Sequence, residues 1–243
     1  MRILVIRHGD PDYAKDSLTE KGWKEAKVLA DKMKQEKLDY IYVSPLGRAK
    51  ATASFTLEQK GMEAVECPWL REFAPLIDRP DVTDRKMIAW DWLPQDWTAE
   101  PKHFLYDEWM NTPVFENSEV PQQYRWVTQS FDELLAGHGY VRDGEIYRVE
   151  RANRDTIALF CHFGVECVLL SHLMHVSPMI LWHHMCAAPT SVTTIYTEER
   201  RKGIASFRVT AMADQSHLYA AGEAASFQAR FCETYDCPEE RHD

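Results

Sequence analysis

The sequence predicts an α/β domain built on a mainly parallel sheet, and three observations carry that reading. Short apolar runs recur at Arg2–Ile6, Leu38–Val43 and Thr156–Cys161, each the length of a buried strand. The second and third lead directly into stretches with helical character, the alternation expected of βα units. In each, the polarity changes abruptly where the strand ends: Arg7-His8-Gly9 after the first, Ser44-Pro45 after the second, His162-Phe163-Gly164 after the third.

The chain has 243 residues, enough for one such domain with a sizeable core, and its 45% hydrophobic and 27% charged composition is that of a globular protein. A formal net charge of −10 argues against general binding to nucleic acid or to an anionic membrane. It also requires any anionic ligand to find a local basic pocket. The chain opens straight into a strand with no signal peptide, and no apolar run is long enough to span a bilayer. Cys67, Cys161, Cys167, Cys186, Cys232 and Cys237 lack the spacing of a disulfide framework, so reduced thiols and a cytoplasmic location are expected. Cys232 and Cys237 are near neighbours, but a local bridge between them is not expected. No oligomeric state is fixed by any feature.

Arg2–Ile6 reads as a buried strand that delivers Arg7 and His8 to its C-terminal lip. Open α/β sheets bind ligands at that edge. Pro11-Asp12-Tyr13 reads as a turn. Ser17 and Thr19 are candidate N-caps, with Glu20 three residues past Ser17, for a helix placing Trp23, Ala26, Leu29, Ala30 and Met33 on the sheet. A helix opening at Gly47 sets Arg48 in its first turn, where the helix dipole disfavours a cation unless an anion shares the site. Met62–Cys67 reads as a third strand, with Trp69–Phe73 as a loop.

From about 75 to 153 the alternation is lost and aromatics are dense, among them Trp90, Trp92, Trp97, Trp109 and Phe115. This reads as a cap-like insertion over one end of the sheet within a single 1–243 domain. It contains a helix at Pro121–Leu135 and a hairpin at Val141–Val149 turning at Asp143-Gly144. Its aromatics are expected mainly to form its own core. Thr193–Thr197 and Ala205–Val209 complete the sheet as an antiparallel pair. His172, His175, His183 and His184 lack a matched acidic ligand, so no metal site is expected.

Arg7, His8, Arg48 and His162 thus all stand just past strand ends that share one edge of a parallel sheet. With Leu18-Thr19-x-x-Gly22, Ser44-Pro45-Leu46-Gly47-Arg48-Ala49 and Leu70-x-Glu72, this order of motifs resembles the histidine phosphatase superfamily, in its phosphoglycerate-mutase-like branch. The resemblance implies a three-layer α/β/α sandwich and a phosphoric monoester hydrolase that needs no metal or other cofactor. By the same resemblance His8 is the nucleophile that forms a phosphohistidine. Arg7, Arg48 and His162 hold the phosphoryl oxygens, and Glu72 is the acid and base. The partner implied is a small phosphorylated substrate.

Mutases that use 2,3-bisphosphoglycerate usually follow the triplet with Glu-Ser and a Trp-Asn pair. Here Asp10-Pro11-Asp12-Tyr13-Ala14 stands instead, and its two carboxylates are expected to repel a second phosphate. That favours a phosphatase over the alternatives, a phosphoglycerate-type mutase or a non-catalytic phosphate-binding protein. The last would show loss of His8, Glu72 or an arginine, and none is lost.

Overall fold

A computed structural model describes residues 1–226 and 228. Its central sheet has eight strands: β1 (Arg2–Arg7), β2 (Tyr40–Val43), β3 (Val65–Glu66), β4 (Tyr140–Asp143), β5 (Ile146–Val149), β6 (Thr156–Cys161), β7 (Val192–Arg201) and β8 (Ile204–Asp214). Their order is β3-β2-β6-β1-β7-β8-β5-β4. Strands β3, β2, β6 and β1 form a parallel block, and the rest of the sheet continues from β1 in antiparallel pairs. Most strands therefore point one way, with β5 and β7 reversed.

The strand period of two builds both faces. Leu4 and Ile6 of β1, with Ala158 and Phe160 of β6, pack against Leu29 and Met33 of α1 (Glu20–Gln35) and Ala49 and Ala53 of α2 (Gly47–Lys60). The alternate residues, Ile3, Val5, Ile157 and Leu159, join the opposite core with α3 (Val120–Gly137) and α4 (Phe163–Met174). Three layers result, as the family resemblance implies.

Several elements differ in detail from expectation. Thr19 is the N-cap of α1, its hydroxyl accepting the Gly22 N–H at 3.1 Å, while Ser17 pairs with Asp12 in a small hairpin of Pro11–Asp12 with Ser17–Leu18. Trp23 lies at the surface, edge-on to Phe55, because the buried face of α1 is set by Gly22, Glu25, Ala26, Leu29, Ala30 and Met33. The strand expected at Met62–Cys67 shrinks to Val65–Glu66, two exposed edge residues.

The 75–153 stretch is not all an insertion over the sheet. Helix α3 packs on α4, and β4 and β5 extend the central sheet through pairing of Tyr147 with Ala205 and Arg148 with Ile204. The irregular part is 75–119, where Leu76–Ile77 pairs with Met87–Ile88 and Trp92, Trp97, Trp109 and Phe115 are buried in continuity with the main core. Cys67, Cys161, Cys167 and Cys186 are free thiols; Cys232 and Cys237 lie outside the described residues. No helix among the described residues is long and apolar enough to cross a membrane.

Candidate active site

The register of the parallel block brings the strand ends together, with Arg7 beside Cys161 and Phe160 beside Val43. The His8 N–H donates to the Cys161 carbonyl at 3.0 Å and its own carbonyl accepts the Thr190 N–H at 3.2 Å, so backbone bonds on both sides lock this position. His162, immediately past β6, precedes the first turn of α4. The two imidazoles stand 5.0 Å apart between ring centroids.

The tautomer of His8 follows from its hydrogen bond. His8 Nδ1 lies 2.7 Å from the Gly9 carbonyl, which can only accept, so Nδ1 carries the proton and Nε2 keeps its lone pair. Arg48 Nε points at that lone pair from 3.4 Å. Ser44 Oγ accepts the Leu46 N–H at 3.2 Å and is hydrogen-bonded with His162 Nε2 at 2.7 Å. His162 Nδ1 is buried with no hydrogen-bond partner among the described residues. Burial, then the nearby arginines, hold His8 well below the usual imidazole range, and burial with His8 and both arginines does the same to His162. Both rings are neutral at physiological pH.

Arg7 is buried, its Nη1 donating to the Ala187 carbonyl at 2.5 Å and Nη2 to the Gln228 carbonyl at 2.8 Å. Its Nε has no protein acceptor among the described residues. Arg48 donates through Nη1 to Asp16 Oδ1 at 2.7 Å. With Nε facing His8, the Nε edge of this guanidinium is turned toward the imidazoles. Arg7, Arg48 and His162 around a bare imidazole nitrogen suit a tetrahedral oxyanion.

Glu72 arrives from the loop after the 3-10 turn Pro68–Leu70. Its Oε1 accepts the Phe73 N–H at 2.8 Å and the Val165 N–H in the first turn of α4 at 3.1 Å. Burial raises this carboxyl above its usual range, against the opposing pull of those N–H groups and of Arg7 and Arg48. The approach depends on Gly164: a Cβ there would stand 2.7 Å from both Glu72 Oε1 and Trp90 Nε1. Trp90, partly exposed, donates to the Phe73 carbonyl at 2.7 Å and meets the edge of Phe163, so an aromatic wall flanks Glu72.

All five residues singled out from the sequence, Arg7, His8, Arg48, Glu72 and His162, therefore converge. Asp10 and Asp12 are both engaged within the first loops. Thr19 donates to Asp10 Oδ2 at 2.6 Å and Ser226 donates to Asp10 Oδ1, while Asp12 pairs with Lys15 at 2.8 Å. Asp16 is a further carboxylate at the basic cluster, bonded to Arg48. Ser44 and Trp90 were named from the sequence, within a motif and among the aromatics, without a site role of their own; Asp16 gave no local signal. Of the other histidines, His172 is paired with Asp132, His175 with Glu145, and His183 is stacked on Trp97.

The profile of the histidine phosphatase superfamily (branch 1) matches residues 3–210. Phosphoserine phosphatase 1 of Hydrogenobacter thermophilus is 23% identical over 228 residues, covering 86% of this chain and 93% of that protein. The adenosylcobalamin/alpha-ribazole phosphatase of Salmonella typhi is 24% identical over 196 residues, 75% of this chain and 84% of its own length. Among solved structures, a phosphoserine phosphatase from Entamoeba histolytica in complex with phosphoserine superposes with a TM-score of 0.60 at 18% identity, covering 89% of this chain and 98% of that one. A mycobacterial glucosyl-3-phosphoglycerate phosphatase gives 0.58 at 18% identity, over 88% and 99% of the two chains. With the family profile spanning both halves of the sheet and every strand-end motif, the chain belongs to the histidine phosphatase superfamily, branch 1.

Proposed function

We propose that this protein is a phosphoric monoester hydrolase that cleaves a small phosphorylated substrate through a phosphohistidine on His8, with positive charge supplied by its own arginines. One observation carries the reading: the Gly9 carbonyl ties up His8 Nδ1 and leaves a neutral Nε2 facing Arg48 Nε, beside Arg7 and His162. Phosphatase names among the relatives support the reaction class.

In the first half-reaction the Nε2 lone pair attacks phosphorus as the ester P–O bond breaks. Arg7, Arg48 and His162 Nδ1 stabilise the equatorial oxygens, where charge is greatest. Glu72, raised by burial, gives its proton to the leaving oxygen. In the second, water attacks phosphorus, the N–P bond breaks, and Glu72 takes the water proton. Inorganic phosphate leaves and the enzyme is restored.

The test is phosphate release from a panel of phosphomonoesters, with chelator present, for wild type and His8→Ala. Release that survives chelation and is lost in the variant supports the reading. Activity equal in both refutes His8 as nucleophile. No release by wild type refutes the hydrolase and turns attention to phosphoryl transfer with 3-phosphoglycerate and bisphosphoglycerate, then to phosphate binding without turnover.

A further inference from the structure

An arginine in the first turn of a helix opposes the helix dipole, and in this protein a carboxylate of its own chain answers that conflict. The N-cap of α2 is Leu46, whose side chain cannot cap. Asp16 supplies the cap from a distant loop: Oδ2 accepts the Gly47 N–H at 2.7 Å while Oδ1 accepts Arg48 Nη1 at 2.7 Å.

Two backbone features exist to allow this. Asp16 sits at φ +46°, in the left-handed region. Its carbonyl comes so close to Gly47 that a Cβ there would stand 2.2 Å away. Asp16 forms the end of the hairpin tip whose Tyr13 ring lies 5.4 Å from the Arg48 guanidinium carbon. Lys15 on the same tip is engaged by Asp12, so it does not compete for Asp16. Burial works against the ionised Asp16, but the Gly47 amide and the Arg48 guanidinium outweigh it and hold the carboxyl below its usual range.

We propose that Asp16 is a positioning residue for the phosphate grip: by holding Nη1 of Arg48 and the first amide of α2 together, it turns the Nε edge of the guanidinium toward His8. Nη2 of Arg48 has no protein acceptor among the described residues and Nε faces His8 Nε2 at 3.4 Å, so the Nε–Nη2 edge forms a fork at the nucleophile suited to two phosphoryl oxygens. The proposal rests on the reading of Arg48 as a phosphate ligand.

The test is a double-mutant cycle on kcat/KM and on orthovanadate affinity, with melting temperature recorded for each variant. Asp16→Ala is expected to lose about 10- to 100-fold in both on an intact Arg48, and nothing further on an Arg48→Ala background. Asp16→Asn keeps an acceptor for Gly47 and is expected to melt with wild type while losing activity. Additive losses in the double variant overturn the proposal, because Asp16 would then act through something other than Arg48. Full activity in Asp16→Asn beside a damaged Asp16→Ala also overturns it, in favour of a helix cap alone. If wild type releases no phosphate, the phosphatase reading falls and vanadate affinity still tests the clamp. If wild type binds no vanadate either, both fall.

Discussion

The strand-end site and the 75–119 segment solve the same problem, holding side chains in place, by opposite means. At the site, His8, Arg48 and His162 are each held by one hydrogen bond, to Gly9, Asp16 and Ser44 respectively, which leaves another polar edge of each facing the site. In the 75–119 segment, position comes from ring against ring. Trp109 packs on Phe115, Tyr124 and Trp182 at 5.1–5.6 Å, and the Arg79–Asp81 pair is buried and consumed within the segment. The first region is organised to leave chemistry available, the second to use it up. Trp90 connects them, bonding the Phe73 carbonyl and standing by Gly164 and Glu72.

The contrast breaks most sharply at His8. His8→Ala should lose at least about 10³-fold in phosphate release with an unchanged melting temperature, since nucleophile loss removes the covalent route. Matched assays and thermal scans check this. Trp109→Ala should do the reverse, costing about 3–5 kcal/mol of stability in denaturant titrations while the surviving folded fraction keeps its kcat.

Glu72→Gln should lower kcat by about 10²- to 10⁴-fold. The pH profile sharpens this. Neutral His8, held well below 6.5, stays competent into acid, whereas Glu72 must be protonated to act and is raised above 4.5. Wild-type kcat/KM should therefore fall as pH rises through the raised Glu72 pKa, and Glu72→Gln should lose that descending limb. Ser44→Ala, which removes the hydrogen bond to His162 Nε2 without opening the core, should cost about 10-fold in kcat/KM, with no change in melting.

The smallest effect concerns stability. Glu25 and Glu166 are buried carboxyls pushed up to about 7, burial being the main cause in each. Both bind protons more tightly folded than unfolded, so each stabilises the fold fully below pH 4.5 and loses that contribution as pH rises toward 7. Glu166→Gln should flatten that decline in urea titrations across this window, while a decline unchanged from wild type would show that Glu166 does not cause it.

The site was legible because its residues obey a local rule. A buried strand ends where polarity begins, and the next residue falls on the shared edge; Arg7, His8, Ser44 and His162 all follow it. The conflict of Arg48 with its helix dipole pointed to an anion, and the structure adds that Asp16 is one. Asp16 itself was not legible, because a contact spanning the first hairpin and α2 leaves no periodic trace. The strand expected at Met62–Cys67 shortens because it pairs with β2 only at Tyr42 and Val43, while Met62 and Ala64 pack against the core without joining the ladder.

The sequence by itself determined the alternation of strands and helices, the residues at the strand ends and the family, since these depend on local polarity and spacing. Only the tertiary structure decided that the 140–149 hairpin extends the sheet, which rings the 75–119 segment buries, and which carboxylate holds Arg48. Those outcomes depend on pairing and burial between segments far apart in the chain, where contact energy is set by shape and desolvation and not by local pattern.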